Sequence, residues 1–221
     1  MIEYFNEDCM VGMARYPDKH FDLAIVDPPY GININHNMGR RKGDKDSPYK
    51  KVEWDSLPPQ EDYFKELFRV SKNQIVWGAN HFMESINLNS SCWVVWDKLF
   101  SEEVSFASVE LAWTSFTSVA KRFQMSSQQP DRIHPTQKPV ALYKWLLKNY
   151  AKEGDLILDT HVGSASSLIA CYDLGFDAVG FELDEDYYKA SKQRLEDFMS
   201  QPKLEELFAE QREQIELSGG E

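Results

Sequence analysis

The first residues able to do chemistry stand where an apolar run stops. Leu23-Ala24-Ile25-Val26 leads into Asp27, Pro28, Pro29, Tyr30 and Gly31. The run is too continuous for a half-exposed sheet and predicts a central parallel strand with the Asp27 carboxylate at its tip. Neither proline has an N–H to give to a sheet, so the chain must turn there. A carboxylate, a stiff turn and an aromatic ring are left side by side. A second group fills 156–184, "LILDTHVGSASSLIACYDLGFDAVGFELD", which reads strand, glycine turn, helix, strand, acid. Asp159 ends the first strand, and Gly163 permits close backbone approach to a ligand. The small residues Ser164, Ala165 and Ser166 open a helix whose free N–H groups attract polar or negative atoms. Glu182 follows Asp159 by 23 positions. In nucleotide-binding βαβ units an acid about 20 residues on reaches the ribose hydroxyls.

These groups need a frame. Ile2–Phe5 reads as a short strand and 10–16 as a helix. Residues 59–71 predict a helix with Tyr63, Phe64, Leu67, Phe68 and Val70 on one side. "QIVWGAN" and "CWVVWDK" are two further strands, and 101–127 carries a weak pattern of short strands, "ELAWTSF" the clearest. Pro139 suits the first turn of a helix running to Tyr150, with Gly154 as a stop. Helices over 166–174 and from Asp186 flank the strand "DAVGFEL". Strands alternating with helices predict an α/β domain with a seven-stranded, Rossmann-like, mostly parallel sheet and one antiparallel strand, helices on both faces. One domain spans 1–200. It carries a basic loop at 32–53 and a short variable segment at 98–131, and 201–221 is an acidic, helical tail suited to packing or to a homodimer.

Composition narrows the classes. The chain has 221 residues, 42% hydrophobic and 13% aromatic, which suits a globular core and not disorder. No apolar run approaches a membrane span, and the acids Glu3, Glu7 and Asp8 argue against a signal peptide. Cys9, Cys92 and Cys171 are far apart, as reduced thiols of a cytoplasmic protein would be. No metal site is expected, since neither His134 nor His161 has a second ligand at suitable spacing. A net charge of −12 works against nucleic-acid binding, but the charge is uneven. Residues 32–53 carry +3 through Arg40, Arg41, Lys42, Lys45, Lys50 and Lys51, and 201–221 carry −4.

The ordered set Asp27–Tyr30, "HPTQKP" at 134–139 and "DTHVGSASS" at 159–167 resembles the amino-directed DNA methyltransferases that use S-adenosylmethionine. The DPPY motif precedes the glycine motif, as in the permuted, β-type group. "WDKLF", "LAWTSF" and "RIHPTQKPVALYKWLL" are similar to the small, often phage-borne members, some of which accompany restriction enzymes. The resemblance covers Asp8 to about Leu195. It implies that Asp27 and the Pro28 carbonyl accept N–H bonds from an exocyclic amine and make its nitrogen more nucleophilic. It implies that Pro29 stiffens the turn and that Tyr30 stacks on a base rotated out of double-stranded DNA. The cofactor site would comprise Asp8 and Cys9, Thr136, Gln137 and Lys138 near the methionine carboxylate, Asp159, His161, Gly163, Ser164, Ala165 and Ser166, and Glu182 with Leu183 at the ribose. The basic loop, with Lys121 and Arg122, would contact DNA, and Trp54-Asp55 would help close the site.

Asp in the first motif position favours adenine N6, whereas Ser is more usual for cytosine N4. A rival of a different class, a weakly active or inactive cofactor-binding module, is suggested by the net charge of −12 and by two departures, although the retained DPPY argues against it. Ala165 stands where the family has a second glycine, and the recognition stretch "KRFQMSSQQPD" has only two basic residues.

Overall fold

The computed structural model describes residues 1–32, 55–99, 107–129 and 132–201. The basic loop with its six cations, Trp54, part of the variable segment and nearly all of the acidic tail lie outside them. Fifteen elements follow one another. They are β1 (Ile2–Asn6), α1 (Cys9–Met13), β2 (Phe21–Val26), α2 (Glu61–Val70), β3 (Ser71–Trp77), a 3-10 turn (Ala79–His81), α3 (Met83–Ile86) and β4 (Trp93–Asp97). Then come β5 (Val109–Thr114), β6 (Lys121–Gln124), α4 (Val140–Tyr150), β7 (Leu156–Asp159), α5 (Ser166–Leu174), β8 (Asp177–Glu182) and α6 (Glu185–Met199).

The strands form one sheet in the order β1-β8-β7-β2-β3-β5-β4-β6. Of the described strands only β5 runs against the others, pairing antiparallel with both β3 and β4. Among the described residues there are eight strands, one more than expected. The addition is β6, four residues of "KRFQ" parallel to β4 at the sheet edge. It is too short and too polar to show a period of two.

Alternation along the strands divides the core. Leu23 and Ile25 face one side with Ile157, Trp77 and Trp96, against Leu142, Leu146, Leu168 and Leu195 of α4, α5 and α6. Ala24 and Val26 face the other with Val76, Val179 and Phe181, against Met13, Phe64, Leu67 and Ile86 of α1, α2 and α3. Helices therefore cover both faces.

The chain moves outward from the centre in two directions: β2 to β3 on one side, β7 to β8 on the other. β7 and β2 are neighbours, in register Leu23↔Ile157. A crevice opens above their carboxyl ends, where the two crossovers diverge. Asp27, Asp159 and Glu182 all stand at or just beyond these strand ends.

Two backbone features hold the turn after β7. Ala165 sits in the left-handed region at φ 61°, ψ 19°, fully buried, as the residue before α5. Its methyl packs into the core, and α5 starts at Ser166 as predicted. Pro139 precedes the first turn of α4 instead of opening it. Gly180 on β8 is a close approach: a Cβ there would stand 2.6 Å from Val162 Cγ2 and 3.1 Å from Leu168 Cδ1. Gly180→Ala should therefore push the β7–α5 turn off the sheet and cost about 1–3 kcal/mol. A urea melt with an unchanged midpoint would refute this packing.

Candidate active site

A cavity of about 610 Å³ lies above the carboxyl edge, a size suited to a nucleoside-bearing ligand. Of the residues singled out in the sequence, Asp8, Cys9, Asp27, Pro29, Thr136, Gln137, Lys138, His161, Gly163, Ser164, Glu182 and Leu183 line it. Asp159, Ala165 and Ser166 do not, and neither do Pro28 and Tyr30.

Asp27 leaves β2 directly into the turn. Asp55, 1% exposed, fixes that turn by accepting from the N–H of Tyr30 at 2.8 Å and of Gly31 at 3.0 Å. Asp27 Oδ1 accepts from the Tyr30 hydroxyl at 2.6 Å, and Oδ2 accepts from Lys138 Nζ. The Tyr30 ring is stacked by His81 at a centroid distance of 5.2 Å and an interplanar angle of 14°. Gly78 has φ +69°, and a Cβ there would run into the same ring.

Lys138 departs from the expectation. Instead of standing free for a ligand carboxylate, the residue is 3% exposed and its ammonium is shared between Asp27 and Glu110 Oε2, the latter at 3.0 Å. It also sits 5.6 Å over the Tyr30 ring and 5.4 Å over that of Trp77. Lys98 pairs with Glu110 from the other side. Burial opposes charge on Glu110, but the Lys138 and Lys98 ammonium groups outweigh it and hold its carboxyl down to about 2. Burial likewise opposes charge on Lys138, and Asp27 and Glu110 outweigh it and raise its pKa. Burial pushes Asp27 up despite the Lys138 charge. Asp27 is thus the carboxylate of the cluster with the greater affinity for a proton.

The opposite wall is the glycine turn. Gly163, at φ +55°, donates its N–H to Glu182 Oε2 at 2.8 Å, and Asp184 N–H donates to Glu182 Oε1 at 2.9 Å. Asp159 accepts from His161 N at 3.0 Å and from the Ser167 hydroxyl, and burial raises its pKa to about 7. Arg194 Nη1 donates to Ser164 O at 2.6 Å and to Ser166 Oγ at 3.1 Å. Asp8 lines the cavity while its Oδ1 accepts from Met10 N at 2.7 Å, capping α1. Leu183, 67% exposed, forms the rim.

The 134–139 loop closes the third side. Gln137 Oε1 accepts from Ile133 N at 3.0 Å, and Thr136 Oγ1 lies 3.0 Å from His134 Nδ1. The His134 ring packs on Tyr187 at 4.4 Å and against Gly163. It therefore bridges the two cofactor-type motifs. Thr160, Tyr143, Tyr187, Asp184, Glu7 and Glu110 were missed from sequence; Glu7, Thr160 and Asp184, each beside a residue already singled out, carried a signal by position. Lys121 donates to Asn149 Oδ1 at 2.9 Å and lies 5.2 Å over Tyr150. With exposed Arg122 it sits toward the amino end of β6, the edge away from the cavity. Among the described residues no cluster of His, Cys, Asp or Glu could hold a metal ion, and no described helix is long and apolar enough to cross a membrane.

His134 is neutral. Burial, then the Lys138 and Arg132 charges, press its pKa to about 3. The unfolded imidazole titrates near 6.5. Below that pH the unfolded state binds the extra proton, so this contribution to stability is full above about pH 7 and falls as pH drops toward 3. The stability difference between wild type and His134→Asn should shrink below pH 6.5 by up to about 1.4 kcal/mol per pH unit. Urea melts at pH 7.5 and 5.0 with the same difference would show the ring is not buried neutral.

Comparison with known proteins places this geometry. The profile of a DNA methylase family, of N6 and N4 type, matches residues 74–193. The chain is similar to the type II methyltransferase M.HpaI of Haemophilus parainfluenzae, 38% identical over 83% of this chain and 71% of that one. Among solved structures, the fold is shared with the M1.HpyAVI–SAM complex (TM-score 0.59, 17% identity, 88% of this chain and 100% of that one). It is also shared with the cytosine-N4-specific PvuII DNA methyltransferase (TM-score 0.58, 12% identity, 89% and 90%). With a family match over more than half its length and the sheet of a class I methyltransferase, the chain belongs to the N6/N4 DNA methylase family.

Proposed function

We propose that the chain moves a methyl group from S-adenosylmethionine to adenine N6 of a base rotated out of double-stranded DNA. The observation that carries the reading is that Asp27 and the Gly163 turn open onto one cavity. The residues present fit the cofactor. Asp8, Glu182 and Asp184 offer acceptors for an amine and for ribose hydroxyls, and Thr136, Gln137 and Ser164 offer further polar partners. When bound, S-adenosylmethionine supplies an electrophilic methyl on a sulfonium. A similar fold holding S-adenosylmethionine, the M1.HpyAVI complex, supports the assignment.

An exocyclic aromatic amine is a poor nucleophile because its lone pair delocalises into the ring. Asp27 counters this by accepting an N–H bond, which orients the nitrogen and offsets the positive charge that develops there. The same carboxylate, whose affinity for a proton burial raises, can hold the proton that the alkylated nitrogen sheds. Tyr30 keeps its own proton, since burial and the Asp27 charge raise its pKa well above the usual value. It acts as a donor that fixes Asp27 Oδ1.

Cytosine N4 presents the same amine chemistry, and the PvuII enzyme of similar fold is specific for it. Aspartate at the first position of the motif favours adenine. Transfer of labelled methyl to unmethylated genomic DNA, followed by mass spectrometry of nucleosides, should give N6-methyladenine. N4-methylcytosine alone would overturn the base assignment, and unlabelled DNA would overturn the substrate. Asp27→Asn should lower kcat by about 100-fold or more while leaving S-adenosylhomocysteine affinity, read by calorimetry, near that of the wild type.

A further inference from the structure

Both oxygens of Asp27 are already capped, Oδ2 by Lys138 and Oδ1 by the Tyr30 hydroxyl. Each oxygen keeps a further lone pair, so a target amine either shares Asp27 with these donors or displaces one of them, and a donor displaced inside this buried cluster needs another acceptor. A buried ion pair with a single partner does not open readily, because the freed ammonium would stand unpaired in a low-dielectric site. The structure supplies a second acceptor to each donor, and it is the same atom. Glu110 Oε2 lies 3.0 Å from Lys138 Nζ and 3.4 Å from the Tyr30 hydroxyl.

From this geometry we infer that Glu110 is a positioning residue that receives Lys138 and Tyr30 when the target amine takes their place on Asp27. The inference rests on the methyl-transfer reading above. No bond is made or broken; two hydrogen-bond donors change partner and the charges stay where they are. Glu110 is suited to this because its own position is fixed. It is anchored by the pairing Trp96↔Glu110 between β4 and β5, and its other oxygen, Oε1, is paired with Lys98. Lys138 is confined as well, between two carboxylates and the faces of Tyr30 and Trp77, so its travel is short. A carboxylate that merely neutralised Lys138 would need neither the Tyr30 contact nor the Lys98 anchor.

The test compares wild type, Glu110→Gln, Glu110→Asp and Lys98→Gln in methyl transfer to unmethylated genomic DNA, with S-adenosylhomocysteine affinity measured in parallel. Glu110→Gln should lower kcat by about 10- to 100-fold and leave the KM for S-adenosylmethionine within about threefold. Glu110→Asp should recover most of the loss, and Lys98→Gln should lower kcat by about three- to tenfold in the same manner. The inference is overturned if Glu110→Gln keeps wild-type kcat, if kcat and cofactor affinity fall together, or if Glu110→Asp is as impaired as Glu110→Gln. Should Glu110→Gln fail to fold, unchanged kcat in Lys98→Gln overturns it. A wild type that methylates no DNA would instead refute the parent reading, so the two failures are distinguishable.

Discussion

The ammonium of a lysine that is 3% exposed cannot stand alone in a protein interior; removing it from water costs several kcal/mol unless charge and hydrogen bonds replace the lost hydration. Lys138 meets that requirement with Asp27, Glu110 and the Tyr30 hydroxyl. The consequence is structural. The 134–139 loop is tied to the turn after β2 and to β5, across sequence separations of 111 and 28 residues for the Asp27 and Glu110 pairs. His134, four residues before Lys138, is in turn held against Gly163 and Tyr187. One buried charge thereby couples the carboxylate end of the cavity to the glycine end.

The sheet makes the coupling possible through its single reversed strand. In an all-parallel sheet every strand begins at the edge remote from the crevice, and a residue early in β5 would be far from Asp27. β5 is antiparallel to β3, with Trp77 opposite Ala112, so its start lies beside the ends of β3 and β4. Glu110 is delivered to the carboxyl edge by that reversal, and it meets Lys98 there because β4, parallel to the rest, ends at the same edge. The antiparallel strand therefore contributes chemistry as well as pairing.

Much of this frame was legible because it is local. The apolar runs of β2, β3, β7 and β8, the prolines after Asp27, and the small residues opening α5 each carry their own signal within a few residues. The same holds for most of the cavity lining, which follows from strand tips. What was not legible depends on distant pairings. Lys138 lies within a recognisable motif, but its partner is set by the direction and register of β5, and a strand of six residues states neither. β6 was missed because four mostly polar residues have no period to read. Ala165 stands where the family has a glycine, yet the fold accepts it as a left-handed residue with its methyl in the core. That conformation costs a non-glycine residue of order 1 kcal/mol, which burial of the methyl offsets by a similar amount.

The charge of the cavity adds a constraint that the global figure of −12 conceals. Glu7, Asp8, Asp27, Glu182 and Asp184 line it, and Lys138 is its one lysine, already shared by two carboxylates. His134 and His161 add no positive charge, because burial holds their pKa values near 3 and 4. Such a wall favours a ligand that brings positive charge of its own. On the proposed reading a sulfonium satisfies that preference before transfer, and the neutral thioether left afterwards does not. The same acids that made nucleic-acid binding look unfavourable in the composition thus bias the site toward its charged methyl donor over the spent product.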